Sequence, residues 1–407
     1  MEGALPGERA KVRILTGGRK FDIGRAVSLE RSSSGRREPS CPHFGLCGGC
    51  ATQHADLAMQ MAAKEDWLIQ NLARIGKVQP ERVLPMITGE EWGYRHRARL
   101  SVRRVPKKGG VLVGFRERRS SYVADLRECR VLPERISSLI VPLKQLVEKL
   151  SVRTRLPQIE VAVGDNAAAL VVRHLLPLTD EDKAHLESFA ERHGIHLWLQ
   201  PGGPESAHPF HPAASELYYD LPDFDVRLHF RPTDFTQVNH GVNRALVARA
   251  IELLDPHPGE RIADLFCGLG NFSLPIARRG AQVIGFEGSA ELVARARANA
   301  AANGLVAQFE TMDLFAPNLR PYGPFSKALI DPPRQGAIEI VKSIEELMFP
   351  LGPQRIVYVS CDPATLARDA GVLVSTKNYR LLVAGVVNMF PHTAHVESIT
   401  LFEKGET

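Results

Sequence analysis

Apolar residues follow two different periods along this chain, and the change falls near residue 231. From there on, short aliphatic runs alternate with longer amphipathic stretches. The runs at 261–266, 281–286, 327–330, 355–359 and 379–387 read as strands, and 289–303, rich in Ala and Arg, reads as a helix. Strands separated by helices predict a doubly wound, largely parallel α/β sheet. Upstream, residues 54–76 place Leu57, Met61, Trp67, Leu68, Leu72 and Ile75 near helical spacing, which predicts a helix that buries them. Residues 77–230 mix strand-like runs at 159–163 and 168–172 with a helix at 180–193, an α+β pattern. Pro and Gly cluster at 201–212, a predicted loop, and residues 1–40 are polar and end in a Ser/Arg/Pro cluster typical of a linker. There is no internal repeat. The chain therefore divides into 1–40, 41–230 and 231–407, with the helix at 54–76 a candidate to pack on the last of these.

Composition narrows the class. A length of 407 residues exceeds one average domain, and 44% hydrophobic with 24% charged residues excludes a disordered or fibrous protein. No apolar run approaches the 18 or so residues that cross a bilayer, and the first residues lack the basic-then-apolar pattern of a signal peptide, so the cytoplasm is the expected compartment. In that reducing setting the six cysteines read as metal-binding or catalytic rather than as disulfides. The net charge of +5 is uninformative as a total, but residues 94–130 carry 12 Lys and Arg against 3 Asp and Glu, a local net of +9. Arg95, Arg97, Arg99 and Arg103 fall on alternate strand positions, which puts them on one face, and a Pro-Lys-Lys-Gly-Gly turn follows. Such a face suits a nucleic-acid phosphate backbone; a solvated hairpin with no partner is the competing reading.

In a doubly wound sheet, ligands sit at the carboxyl ends of the strands. The first turn places Asp264, Gly268 and Gly270 in the pattern Asp-x-x-x-Gly-x-Gly, which resembles the first motif of class I S-adenosylmethionine methyltransferases. That cofactor carries an ammonium and a sulfonium and no pyrophosphate, so a carboxylate beside close-approach glycines is suitable. Glu287, at the end of the second strand run, is placed to accept from ribose hydroxyls, and Asp313 lies where a third strand should end, near the adenine. Each acid alone is equally readable as a helix cap or turn. Cys267, inside this turn, reads as a small buried thiol.

After the fourth strand comes Asp331-Pro332-Pro333-Arg334, and after the fifth Ser360-Cys361-Asp362-Pro363. Related Asp-Pro-Pro motifs serve amine methylation when an aromatic residue follows; Arg334 at that place speaks against it. A thiol at the active edge of the sheet suggests methylation of carbon instead. The C5 of a pyrimidine is too weak a nucleophile unaided. A thiolate adding to C6 makes C5 enolate-like, and a general base must then remove the C5 proton before the thiolate is expelled. Cys361 is the candidate nucleophile and Glu397 the candidate base, with His392 and His395 as rival bases, a metal pair or, preferably, structural groups.

The strings Phe230-Arg231-Pro232-Thr233-Asp234-Phe235-Thr236-Gln237-Val238-Asn239, Asp264 to Asn271, Asp331 to Gly336, Ser360 to Leu366 and His395-Val396-Glu397 together resemble the RNA uracil-5-methyltransferases, which make 5-methyluridine. The resemblance implies a class I methyltransferase fold, Cys361 as nucleophile, Glu397 as base, and cofactor contacts from Gln237, Phe266, Asn271, Glu287, Asp313 and Asp331. Relatives often carry Asn where Asp362 stands, with little consequence expected because the thiol is retained. The target uridine must leave its stack for C5 and C6 to be reached.

Cys41, Cys47 and Cys50 follow the spacing C-x5-C-x2-C, and Cys129 supplies a fourth thiol. From spacing alone, zinc and an iron–sulfur cluster are equally suitable. The resemblance implies a [4Fe–4S] cluster, associated with members acting on 23S ribosomal RNA, whereas the bacterial transfer-RNA enzyme typically lacks it. The expected partner is thus 23S rRNA, with tRNA as the alternative. A non-catalytic RNA-binding protein on an inherited fold is the rival from another class, and no obligate protein partner is called for. Residues Leu5 to Val12 resemble the middle of the small RNA-binding barrel, the TRAM domain, with which many relatives begin. The expectation is an incomplete barrel, explained by a start codon further upstream.

Overall fold

The computed structural model describes residues 2–19, 21–347 and 352–405. The strand–helix alternation after residue 231 builds an eight-stranded sheet. Seven of its strands are labelled here as β1 (Arg261–Leu265), β2 (Gln282–Glu287), β3 (Gln308–Thr311), β4 (Lys327–Ile330), β5 (Arg355–Ser360), β6 (Tyr379–Val387) and β7 (Glu397–Lys404). Their order is β3-β2-β1-β4-β5-β7-β6, and β1 to β5 run parallel. β7 lies antiparallel to both β5 and β6. The chain works outward from β1 to β3 and then returns to place β4 on the other side of β1, so the switch point lies between β1 and β4. Nearly every residue of β1, β4 and β5 is buried, as expected of strands covered on both faces.

The eighth strand, Arg82–Val83, comes from far upstream and pairs in parallel with β6. The helix Leu57–Asn71 also belongs to this part of the molecule. It is capped by Asp56, whose Oδ1 accepts from Met59 N at 2.8 Å. A following turn at Leu72–Gly76 lies against the helix Pro363–Thr376, so close that a side chain on Gly371 would strike the Gly76 backbone and one on Gly76 the Ala367 carbonyl. The buried face of Leu57–Asn71 coincides only in part with the apolar one read from the sequence: Leu68 and Leu72 are fully buried and Leu57 and Met61 half-buried. Trp67 and Ile75 are exposed, while Gln60, Lys64, Leu68 and Asn71 are buried. These four also recur at helical spacing, but three are polar, so the buried stripe includes positions that apolar periodicity does not mark.

Between these elements sits a six-stranded sheet in the order Gly110–Gly114, Arg97–Val105, Gln158–Val163, Ala168–Arg173, His196–Gln200, His208–His211. All neighbours are antiparallel except Ala168–Arg173 with His196–Gln200, which the helix Asp180–His193 connects. The stretch read as a loop at 201–212 therefore contains an edge strand, because sheet pairing overrides local Pro and Gly content. A hairpin of Leu217–Leu221 and Val226–Phe230 joins the two sheets, and one apolar core runs through it from Val171 and Trp198 to Leu246 and Val357. Residues read as a linker form a second hairpin, Arg9–Thr16 with Ile23–Arg31, mostly exposed. Among the described residues no helix is long and apolar enough to cross a membrane.

Candidate active site and cysteine cavity

The turn after β1 is built for close approach. Phe266, a non-glycine residue, takes φ 67°, and Gly268 and Gly270 take φ 54° and 98°, conformations that favour glycine. Asp264, fully buried, accepts from Ser273 Oγ through Oδ2 at 2.5 Å, while its Oδ1 is buried without a partner. Burial, opposed by the Ser273 bonds, pushes its carboxyl up to about 7. An orphaned acidic oxygen beside a glycine turn fits the ammonium end of S-adenosylmethionine. Glu287, at the end of β2, accepts from Gly268 N at 3.2 Å and Ser289 N at 2.9 Å, so it braces the turn from the next strand. Asp313 is exposed and accepts from Phe315 N at 2.9 Å, while the Phe315 ring lies 5.9 Å from that of Phe266.

Asn271 uses its amide within the protein. Its Oδ1 accepts from Tyr219 OH and from Asn243 Nδ2, both at 2.9 Å, and its Nδ2 donates to Asn243 Oδ1 at 3.0 Å. It thereby ties the cofactor turn to the joining hairpin. Gln237 is half-buried in the 231–239 loop. That loop is held from the six-stranded sheet: Arg97 donates to the carbonyls of Thr233, at 3.0 Å, and Asp234, and His96 N donates to Val238 O at 2.7 Å. Neither Tyr219 nor Asn243 was singled out from the sequence, since nothing local marks a partner that lies 28 or 52 residues away. Cys267 is a buried thiol: a side chain on Gly285 would come within 2.8 Å of its sulfur.

The second half of the site follows from strand direction. Because β7 runs against β5 with Ser360 opposite Ser398, the next facing positions are Cys361 and Glu397. Asp331 follows β4 directly, and its N donates to Leu265 O at 3.2 Å, which sets it between the cofactor turn and Cys361. Burial first, then the charge of Asp264, raises the Asp331 carboxyl to about 7. Burial and the carboxylates of Glu397 and Asp331 raise the Cys361 thiol to about 11, and Arg334 opposes this. Glu397 is buried with Oε2 unpartnered; burial and Asp331 push its carboxyl up to about 8, with Lys64 acting the other way. Asp362 caps the helix Pro363–Thr376, accepting from Ala364 N at 2.9 Å and Thr365 N at 3.3 Å. An Asp does this as well as an Asn.

Of the two rival bases, His392 is buried and His395 exposed. The His392 ring stacks on Trp92 at 4.0 Å, its Nδ1 meets Gln60 Nε2 at 3.3 Å, and its N donates to Gln60 Oε1 at 2.9 Å. Burial lowers it to about 4, so it stays neutral. These contacts give it an orienting place rather than a free ring nitrogen turned to a substrate.

Cys41, Cys47, Cys50 and Cys129 line one small cavity together with Phe44, Phe115 and Val131. None is in a disulfide. Burial pushes Cys50 up to about 11 and Cys129 to about 12, and it raises Cys47 as well. Among the described residues, no three of these sulfurs lie within 4.8 Å of one another. The basic segment is less bare than its sequence implies. Arg97 is committed to the 231–239 loop, Arg99 pairs with Glu160 at 3.0 Å and Arg104 with Glu148 at 2.8 Å. The acids come from neighbouring elements rather than from the strand itself. Arg103, Lys107 and Arg116 remain exposed on this side.

Comparison with known proteins agrees with this layout. The profile of the family described as tRNA (Uracil-5-)-methyltransferase matches residues 60–315 and 314–405. The 23S rRNA (uracil(1939)-C(5))-methyltransferase RlmD of Nitrosospira multiformis is 57% identical over 99% of this chain and 93% of its own length. Its counterpart of the same description in Thiobacillus denitrificans is 58% identical over 99% and 94%. Among solved structures, the tRNA (uracil-54, C5)-methyltransferase of Pyrococcus abyssi, in complex with S-adenosyl-L-homocysteine, superposes with a TM-score of 0.74 at 26% identity. That match covers 98% of this chain and 94% of the other.

Proposed function

The chain belongs to the family of RNA uracil-C5 methyltransferases, and from that premise we propose that it methylates C5 of a uridine in 23S ribosomal RNA, the one corresponding to position 1939 in the names of its relatives. The observation that carries the reading is that Cys361 and Glu397 follow directly on the last pair of β5 and β7, Ser360 with Ser398, in a chain more than half identical to relatives named for that substrate. A cytoplasmic location goes with such a substrate.

The geometry supports the following roles. Asp264, Glu287, Phe266, Gln237 and Asp313 would hold S-adenosylmethionine, with Asn271 fixing the turn and Asp331 at its reacting end. When bound, this cofactor supplies a methyl group with the character of a cation. The Cys361 sulfur, its proton given up to solvent, forms a bond to uracil C6; the C5–C6 π electrons become available at C5 and take the methyl group, whose former bonding electrons stay on the cofactor's sulfur. After methylation, Glu397 takes the C5 proton; those electrons re-form the C5–C6 double bond and the C6–S bond breaks, returning the thiolate. A carboxyl near 8 holds the abstracted proton readily, which suits a base that acts on a carbon acid.

The four cysteines of the cavity are assigned to a [4Fe–4S] cluster. Four thiols gathered on one apolar cavity suit a group that takes four sulfur ligands, as a [4Fe–4S] cluster does. Deprotonating the three raised thiols in so apolar a cavity requires a bound cation, which iron supplies. The cluster would join the 41–50 segment to Cys129. The Arg9–Thr16 and Ile23–Arg31 hairpin, with exposed Arg13, Val12 and Ile14, is read as part of a TRAM-like RNA-contacting unit.

The test is a map of 5-methyluridine in ribosomal and transfer RNA from a strain lacking this chain. Loss of one 23S site, restored by the wild-type gene and not by Cys361→Ser, is the expected result. Loss confined to tRNA would overturn the substrate reading.

A further inference from the structure

Lys64 is a charged residue in a place where the apolar pattern of its helix would put a hydrophobe. It is 5% exposed, and its Nζ donates to Asn388 Oδ1 and to the Phe390 carbonyl, both at 2.8 Å. Those two acceptors lie in the segment that leaves β6 and returns as β7, whose first residue is Glu397. One turn earlier on the same helix, Gln60 accepts from His392 N, and just before the helix Ala51 N and Thr52 N donate to His392 O at 2.8 and 3.1 Å. The connection that presents Glu397 is thus gripped from outside the methyltransferase sheet, by residues that follow Cys50 in sequence.

Only one of these gripping groups carries charge. A buried ammonium with two oxygen partners, both neutral, has a full charge left to be balanced. The acidic group it interacts with across the pocket is Glu397. Glu397 in turn faces Asp331 from the end of β4, Cys361 from the end of β5 and Lys64 from the helix. Asp331 and a Cys361 thiolate both disfavour a second negative charge, so Lys64 is the cation that opposes them. The neighbouring rings, His392 and His395, are both held toward the neutral form, and Arg334 acts on Cys361 and His395.

We infer that Lys64 is a positioning residue for the proton-removal step: it holds the connection before Glu397 in place and supplies the counter-charge that increases the ionised fraction of the Glu397 carboxyl available to take the C5 proton. This rests on the reading of Glu397 as the base.

The test separates the two. The release of free methylated RNA from its covalent complex with the holoenzyme is followed between about pH 6 and about pH 9.5. With Lys64→Gln, which keeps a donor but loses the charge, release at pH 7 should slow by about tenfold, the adduct should accumulate, and the gap should close toward pH 9, where Glu397 ionises without help and the Lys64 ammonium, lowered by burial to about 8, gives up its own proton. An unchanged profile, or an equal loss at every pH, overturns the inference, the latter marking a merely structural residue. Lys64→Arg keeps the charge and should retain the wild-type limb; an alkaline displacement there also overturns it, and this variant decides the matter if Lys64→Gln does not fold. Glu397→Gln is the control for the underlying reading. It should stall the methylated adduct at every pH, and free turnover in that variant would refute the base assignment whatever Lys64 does.

Discussion

Cys361 and Glu397 each lie one residue beyond the last pair of two antiparallel strands, Ser360 of β5 with Ser398 of β7, and the Glu397 carboxylate acts on the Cys361 thiol. The ladder itself therefore brings the proposed nucleophile to the proposed base. A site set on strand ends needs no mobile loop to assemble its two reacting groups, although the connection before Glu397 still has to be held.

The thiol of Cys361 is pushed up to about 11, so the free protein holds it protonated at neutral pH. Alkylation by iodoacetamide should be slow at pH 7 and speed up as pH approaches 11. Cys361→Ser should lose both methylation and the covalent complex with 5-fluorouridine RNA. An undiminished adduct in that variant would mean another nucleophile.

Glu397 carries a stability cost as well as its proposed role. Its carboxyl sits at about 8 against an ordinary value of 4.5. A raised carboxyl binds more protons folded than unfolded, so its penalty is absent below about pH 4.5 and grows as pH rises through 8. Glu397→Gln should raise the melting temperature by on the order of a few degrees at pH 8 and leave it unchanged at pH 4. A melting curve unmoved at pH 8 would show that the buried carboxylate is better compensated than its unpartnered Oε2 indicates.

Two arginines of one strand should behave differently. Arg97 anchors the carbonyls of Thr233 and Asp234, so Arg97→Ala should weaken cofactor binding and stability while leaving the salt dependence of RNA binding nearly intact. Arg103 is exposed, and Arg103→Ala should weaken RNA binding uniformly and reduce the slope of log K against log salt by about 1. Titrations of RNA and of S-adenosylmethionine at several salt concentrations distinguish the two.

Anaerobically purified protein should contain about four iron and four sulfide per chain, as a [4Fe–4S] cluster requires. Cys129→Ala should lower that content and destabilise the protein by roughly the cost of losing a structural metal ligand set, several kcal/mol. Stoichiometric zinc in place of iron would defeat the assignment.

The methyltransferase sheet was readable from the sequence because parallel strands buried on both faces leave continuous apolar runs, and the glycine turn and the Cys361 and Glu397 motifs sit at their ends. Local chemistry also marked the four cysteines as one group. What the sequence could not reveal depends on packing between distant segments. Gln60 and Lys64 look like solvated positions until the helix is laid against residues 388–392, more than 300 positions away. Arg97 looks like part of an RNA face until the 231–239 loop is brought to it, and Arg99 and Arg104 look unpaired until other elements supply Glu160 and Glu148. Periodicity reports which face of an element is apolar. Only the tertiary structure decides which face is buried, since a polar side chain can be buried wherever another part of the chain provides its hydrogen bonds.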